Sequence, residues 1–196
     1  MKRMPNLLST LVQREKDGSI PFPTRKYQII YADPPWLYKD KLGKKGADHH
    51  YKTTDNEILM QLPVQSLADE NCTLFMWVTM PLLDTCFELM AAWGFRYKTN
   101  AFTWVKCYKG TSNWYVGMGS WTRANAELCL LGTRGKPKRV NNSVVSVVSS
   151  PVMGHSSKPP VIRDRIVILM GDLPRIELFA RQKTHGWDAW GDEVYT

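Results

Sequence analysis

The apolar run Tyr27-Gln28-Ile29-Ile30-Tyr31-Ala32 stops abruptly at Asp33-Pro34-Pro35-Trp36. Proline donates nothing to a sheet ladder and fixes its own backbone angle, so a strand written this way must end here. It presents the Asp33 carboxylate and the Trp36 ring at its carboxyl edge, where ligands bind in open α/β sheets. Two readings follow from these residues alone. One is a strand ending in a proline turn with a solvated acid. The other is a site in which an acid, rigidly held carbonyls and a flat ring receive an amino-heterocycle.

The remaining periodicity describes the sheet to which such a strand belongs. A continuous apolar strand implies burial on both faces in a parallel arrangement. Thr54-Asp55-Asn56-Glu57 reads as the cap of a helix through Leu62, stopped at Pro63. Cys72 to Val78 is a second buried strand. Met80-Pro81 opens a helix through Trp93 whose apolar face is Leu82, Leu83, Phe87, Leu89 and Met90, with Gly94 as its stop. Tyr97 to Lys106, Glu127 to Thr133 and Val144 to Ser149 read as strands, the last two separated by the basic turn Arg134 to Arg139, which reads as a hairpin tip or as a contact to phosphate. A helix over Val161 to Met170, stopped by Gly171, precedes a strand over Arg175 to Phe179, and Gly186 to Glu193 holds a short strand and turn. Strands alternating with helices predict an α/β fold. With 196 residues and no linker-like stretch, residues 1–196 read as one domain.

Two stretches lack periodicity and sit where a site needs loops. Residues 38–52 are basic and glycine-containing, with Lys39, Lys41, Lys44, Lys45 and Lys52 able to meet phosphates and Tyr38 and Tyr51 able to stack on bases. A solvated surface run is the alternative. Residues 107–123 interleave Trp114 and Trp121 with Lys109 and Arg123, which suits a splayed nucleotide, although both rings would also serve as satellite core. A formal charge of +8 favours a polyanionic partner. Cys72, Cys86, Cys107 and Cys129 show neither CxxC nor matching histidine spacing, so they read as core thiols in a reducing compartment, and no metal is expected. His49-His50 reads as surface. Leu7, Leu8, Leu11 and Val12 have helical spacing, so residues 1–20 form a candidate docking helix, too short in its apolar run for a signal or a membrane span. A cytoplasmic protein is expected.

In order along the chain, Asp33-Pro34-Pro35-Trp36, Gly119-x-Trp121-x-Arg123, Glu127, Ser156-x-Lys158-Pro159, Ile176 to Arg181 and Gly186-Trp187-Asp188-x-Trp190-Gly191 form a set. That set resembles the Asp-Pro-Pro-Trp family of S-adenosylmethionine-dependent N6-adenine methyltransferases. The family includes the catalytic subunit of the eukaryotic messenger-RNA adenosine methyltransferase and many bacterial and phage DNA methyltransferases. The likeness covers Tyr27 to Val194 and implies a Rossmann-like methyltransferase fold with permuted motif order: a mostly parallel sheet, helices on both faces, and the catalytic strand ahead of the cofactor strand. It implies that Asp33 and the Pro34 carbonyl accept the adenine amino hydrogens, that Pro35 stiffens the turn, and that Trp36 stacks on the base. For the cofactor, it implies Asp33, Lys158 near the methionine carboxylate, Phe179, Arg181, Lys183 and Thr184 in the loop after the cofactor strand, and Asp192 and Glu193 near ribose and adenine. Substrate contacts would come from Tyr38, Lys41, Lys44, Lys45, Tyr51, Trp114, Trp121, Arg123 and Glu127.

The sequence departs from the family at two places. Ala180-Arg181 stands where many amino-methyltransferases carry glycines. Lys183, Asp192 and Glu193 replace a histidine and two amides of the messenger-RNA enzymes. DNA is favoured over RNA because the chain is small and shows no recognisable RNA-binding module, which leaves target choice to the two loops, a homodimer or a partner subunit. The competing readings are an RNA adenosine methyltransferase, a cytosine amino-methyltransferase, and a non-catalytic nucleic-acid-binding subunit.

Overall fold

The computed structural model describes residues 21–36, 56–119, 121–153 and 157–194. The expected docking helix at 1–20, the Thr54-Asp55 cap, the His49-His50 pair, and the loop 38–52 with Tyr38, Lys41, Lys44, Lys45 and Tyr51 lie outside these residues. Strand β1 is Tyr27–Ala32, followed by helices α1 (Asn56–Gln61) and α2 (Val64–Leu67) and strand β2 (Ala68–Val78). A 3₁₀ turn over Met80–Leu82 leads into α3 (Leu83–Ala92). Strands β3 (Arg96–Cys107), β4 (Ala126–Arg134) and β5 (Val147–Pro151) come next, then α4 (Val161–Met170), β6 (Arg175–Leu178), β7 (Asp188–Trp190) and a closing 3₁₀ turn over Asp192–Val194.

One sheet holds all seven strands in the order β5-β3-β4-β2-β1-β6-β7. Ile29 and Ile30 point to opposite faces and neither exposes any surface, as the unbroken apolar run of β1 predicts. Strand β1 pairs in parallel with β2 on one side and β6 on the other. The β3–β5 and β6–β7 pairings are also parallel, whereas β4 pairs antiparallel with both β2 and β3. Six strands therefore run one way and β4 alone runs back. The mostly parallel expectation holds for four of the six strand pairings, and β4 is the exception: β3 and β4 are joined by a loop with no crossover helix, and such a connection reverses the chain.

Period-two alternation sorts the core into two layers. Ile30, Ala32, Leu74, Met76, Ile176 and Leu178 pack with Leu59 of α1, Leu67 of α2, and Cys86, Leu89 and Met90 of α3. Ile29, Tyr31, Phe75, Trp77, Phe102 and Trp104 pack with Ile162, Ile166 and Met170 of α4. Helices thus cover both faces. The chain leaves β1 over the first face to reach β2 and arrives at β6 from α4 on the second face, so β1 and β6 flank the topological switch point where such sheets open a crevice.

Other expectations also change. Proline at Met80-Pro81 starts a 3₁₀ turn before the α-helix, and the buried stripe of α3 is Cys86, Leu89 and Met90. Phe87 is 40% exposed, resting edge-on against Tyr97 with ring centres 4.9 Å apart. The stripe shifts because α3 lies on the sheet through one narrow face. Strands β4 and β5 form no hairpin, since β5 crosses to pair with β3. The basic turn after β4 instead docks on the start of β2, where Asn71 Oδ1 accepts the Lys136 amide at 2.6 Å and the Gln65 carbonyl accepts from Arg134 at 2.9 Å. That end of the sheet is opposite Asp33.

Candidate active site

The alternation that builds the second core layer also lines up a charged row at one edge. Asp33 follows Tyr31 on the α4 side of β1, Glu127 precedes Cys129 on the same side of β4, and Lys106 follows Trp104 on β3. Because β4 runs backwards, its first residues meet the last residues of β2 and β3, at the same edge of the sheet as the end of β1. Lys158, in the turn leading into α4, reaches over this edge. Its Nζ lies 2.7 Å from Asp33 Oδ2 and 3.3 Å from Glu127 Oε2. Glu127 Oε1 accepts from Lys106.

Strand β2 lies between β1 and β4, and Lys158 spans it with Nζ 5.6 Å from the ring centre of Trp77. That ring is fixed in turn. Its indole N–H donates to Tyr31 Oη at 2.6 Å, and the Trp77 carbonyl accepts the Trp36 indole N–H at 2.9 Å. Aromatic packing on both sides of the sheet thereby sets the floor on which the ammonium rests.

Burial and charge pull against each other within the row. Burial raises the Asp33 carboxyl above its ordinary value, with Lys158 opposing and Glu127 adding to the rise. Burial acts against the charge of Lys158 too, but Asp33 and Glu127 outweigh it and the ammonium is held above its ordinary range. Glu127 moves down despite its burial, because Lys158 and Lys106 favour the carboxylate. The Asp33 side chain is 26% exposed, so one side of this carboxylate still opens outward.

The turn after Asp33 is closed by the Trp36 amide, which donates to the Pro34 carbonyl at 2.9 Å. A carbonyl has two acceptor sites, so Pro34 retains one. Trp36 itself is only 7% exposed and belongs to the first core layer. Its observed partners are core residues.

At the neighbouring strand end, Phe179 adopts φ of +60°, a conformation costly for a side chain with a Cβ. Its ring lies parallel to Trp93 at 6.4 Å and edge-on to Trp190 at 5.8 Å. The Ala180 amide donates to the Trp190 carbonyl at 3.1 Å, and a Cβ on Gly191 would sit 2.2 Å from the Ala180 oxygen. Only glycine permits β7 to end this close to β6. Arg181 is near enough to help hold down the Asp33 carboxyl and lies 3.6 Å from Glu193. Asp192 and Glu193, following β7, emerge at the same edge. Lys183 lines a different hollow of about 510 Å³, with Phe22, Tyr27, Trp187 and Asp188. The Thr184 hydroxyl is buried with no hydrogen-bond partner among the described residues.

The connection between β3 and β4 rises from this edge as an ordered excursion. The Tyr115 amide donates to Lys106 and the Gly117 amide to Ala124, tying the two limbs together. Trp114 is 55% and Trp121 100% exposed, so neither ring is satellite core. Arg123 is exposed beside them. Asp33, Lys158, Glu127, Phe179, Arg181 and the Trp114 to Arg123 segment therefore share one edge of the sheet. Sequence reading missed Lys106 and Trp77. Their signal was a lysine ending an apolar strand two residues after a tryptophan, and a tryptophan ending the strand beside β1.

All four cysteines are buried and free. Burial pushes the Cys72 and Cys86 thiols up to about 12. Among the described residues, no three His, Cys, Asp or Glu side chains are grouped to hold a metal, and no helix is long and apolar enough to cross a membrane.

Comparison with known proteins gives a family model and several relatives. The MT-A70 model matches residues 27–193. The chain is 36% identical over 193 residues to the type II methyltransferase M.MunI of Mycoplasma sp, covering 88% of this chain and 79% of that protein. It is 30% identical over 183 residues to the N6-methyladenosine RNA methyltransferase MTA1 of Pyricularia oryzae, covering 86% of this chain and 47% of that one. It is 29% identical over 158 residues to the human N(6)-adenosine-methyltransferase catalytic subunit METTL3, covering 80% of this chain and 26% of that one. The chain thus spans most of the bacterial relative and a quarter to a half of these two eukaryotic ones.

Proposed function

The chain belongs to the MT-A70 family, and from that premise we propose that it transfers the methyl group of S-adenosylmethionine to the 6-amino group of adenine in DNA. The observation that carries this reading is the Asp33 carboxylate, held 2.7 Å from Lys158 at the crevice between β1 and β6. S-adenosylmethionine supplies an electrophilic methyl on a sulfonium. The adenine amine is a poor nucleophile because its lone pair is drawn into the ring, so the protein must orient it. Asp33 accepts one amino hydrogen and the free acceptor site of Pro34 the other, with the backbone of both held by the consecutive prolines. As the nitrogen gains positive charge on methylation, the nearby carboxylate stabilises it. The raised proton affinity of Asp33 suits it to receive the released proton. A duplex buries this amine, so the base reaches Asp33 only unpaired or flipped, at an unstacking cost of a few kcal/mol.

The residues fit the cofactor in two respects. The Thr184 hydroxyl is a buried polar group awaiting a partner, and strain at Phe179 turns the chain so that Arg181 approaches Asp33. Phe179, Arg181, Thr184, Asp192 and Glu193 would hold it, with Asp33 favouring the sulfonium charge, whereas Lys183 faces the hollow beside Tyr27 and Asp188. Of the three ammonium hydrogens of Lys158, two go to Asp33 and Glu127 and one is left for the methionine carboxylate. Nucleic acid would meet Trp114, Trp121 and Arg123, together with Tyr38, Lys41, Lys44, Lys45 and Tyr51. Residues 1–196 act as one methyltransferase domain in a reducing cytoplasm, the latter supported by four buried free thiols. Target choice falls to the two loops, a homodimer or a partner subunit.

DNA is preferred on likeness, since the chain is 36% identical to the type II methyltransferase M.MunI and 29% identical to METTL3. Adenosine in RNA is the second reading, favoured by the likeness to the N6-methyladenosine RNA methyltransferase MTA1. Incubating the purified protein with tritiated S-adenosylmethionine and either DNA or RNA tests both. Label on adenine of DNA is expected; label on RNA alone transfers the reading to RNA, and none on either refutes it.

A further inference from the structure

We propose that Lys106 is a positioning residue for methyl transfer: it occupies one oxygen of Glu127, leaving the other to fix Lys158, which in turn fixes the Asp33 carboxylate. This rests on the function proposed above. The prolines after Asp33 hold its backbone but not its side-chain torsions, so the carboxylate needs an external anchor. Lys158 supplies it through Oδ2 at 2.7 Å. Lysine is itself a flexible four-carbon stem with rotatable donors, and it positions nothing unless its ammonium is trapped. Glu127 Oε2 and the Trp77 ring trap it from the far side and from below.

Glu127 in turn needs Lys106. Its side chain is 15% exposed, and its two oxygens face two different lysines. Lys106 is steadied by the Trp104 ring, with Nζ 5.0 Å from its centre. Without that cation, Glu127 Oε1 is a poorly solvated charge whose nearest remedy is to turn both oxygens onto Lys158. The ammonium would then be drawn towards β4 and away from Asp33. With all four side chains ionised, two lysines and two acids leave the row neutral. Removing Lys106 leaves a net negative charge around Lys158, which holds the Asp33 proton more tightly.

The test uses Lys106→Met, which keeps the apolar stem over Trp104, and Lys106→Arg, which keeps the charge. Wild-type methyl transfer is measured first, so that its absence refutes the proposed function and not this inference. With an active wild type, Lys106→Met is expected to lower kcat about 10- to 100-fold, the scale of a misplacement near 1 Å, with KM for the nucleic acid little changed. Lys106→Arg should recover most of kcat. In the protein without cofactor or substrate, ¹³C NMR titration of the Asp33 carboxyl should give a higher midpoint in Lys106→Met than in wild type or Lys106→Arg. A raised KM with unchanged kcat would make Lys106 a substrate contact and overturn the proposal, as would an unmoved Asp33 midpoint. If Lys106→Met unfolds, Lys106→Arg and Lys106→Gln decide by the same titration.

Discussion

Replacing Glu127 with glutamine removes the negative charge that Lys106 and Lys158 share while preserving shape. At 3.3 Å and an effective dielectric of about 20, the attraction between Glu127 and Lys158 is about 5 kcal/mol. Desolvation of Glu127 offsets part of this, and removing one partner of a buried pair typically costs 3–5 kcal/mol. Lys106, at 19% exposure, regains some water, which favours the lower end, about 3 kcal/mol. With a urea slope of about 2 kcal/mol per molar, the unfolding midpoint should fall by about 1.5 M at pH 7. The pH dependence gives a second check. Glu127 has a folded-state value below its ordinary 4.5, so its contribution is present above that value and is lost as pH falls through the folded one. The gap between wild type and Glu127→Gln should therefore narrow in acid. A midpoint shift under about 0.3 M at pH 7, or a gap that stays constant into acid, would refute the reasoning.

Three further outcomes are expected. Asp33→Ala should abolish methyl transfer while leaving far-ultraviolet circular dichroism unchanged, and a turning-over variant would remove Asp33 from the chemistry. Trp121→Ala should leave the melting temperature within about 1 °C, because the ring is 100% exposed, yet weaken nucleic-acid binding by about 1–3 kcal/mol in a fluorescence titration; unaltered binding would show that the ring stacks on nothing. Gly191→Ala should destabilise the fold by roughly 2–4 kcal/mol, since its Cβ meets the Ala180 oxygen at 2.2 Å. Calorimetry should also show weaker S-adenosylmethionine binding in that variant, and an unperturbed melt would mean that β6 and β7 separate without cost.

Local pattern made much of the fold legible. β1 and α4 lie where their apolar runs and stops predicted, because a run buried on both faces and a helix ended by Gly171 are written in adjacent residues. Other features depend on distant partners. The β4–β5 hairpin was misread because the pairing of β5 with β3 leaves no trace between them in sequence. Phe87 was assigned to the core because periodicity reports which residues share a helix face, not how wide a face the sheet accepts. Lys106 was read only as the last residue of a strand, since the acid it pairs with lies on the neighbouring strand.

The strand that ends at Asp33-Pro34-Pro35-Trp36 was determined by sequence alone, as were the parities that put Asp33, Trp77, Lys106 and Glu127 on the α4 face of their strands. Covalent alternation and the missing proline donor suffice for that. Which edge those side chains share was decided only by the tertiary structure. Reversal of β4 brings Glu127 to the carboxyl ends of its neighbours, and the turn before α4 carries Lys158 across Trp77 to join the two acids. Tertiary packing likewise committed Trp36 to the core and left Trp121 outside it, because burial of a ring depends on what arrives to cover it.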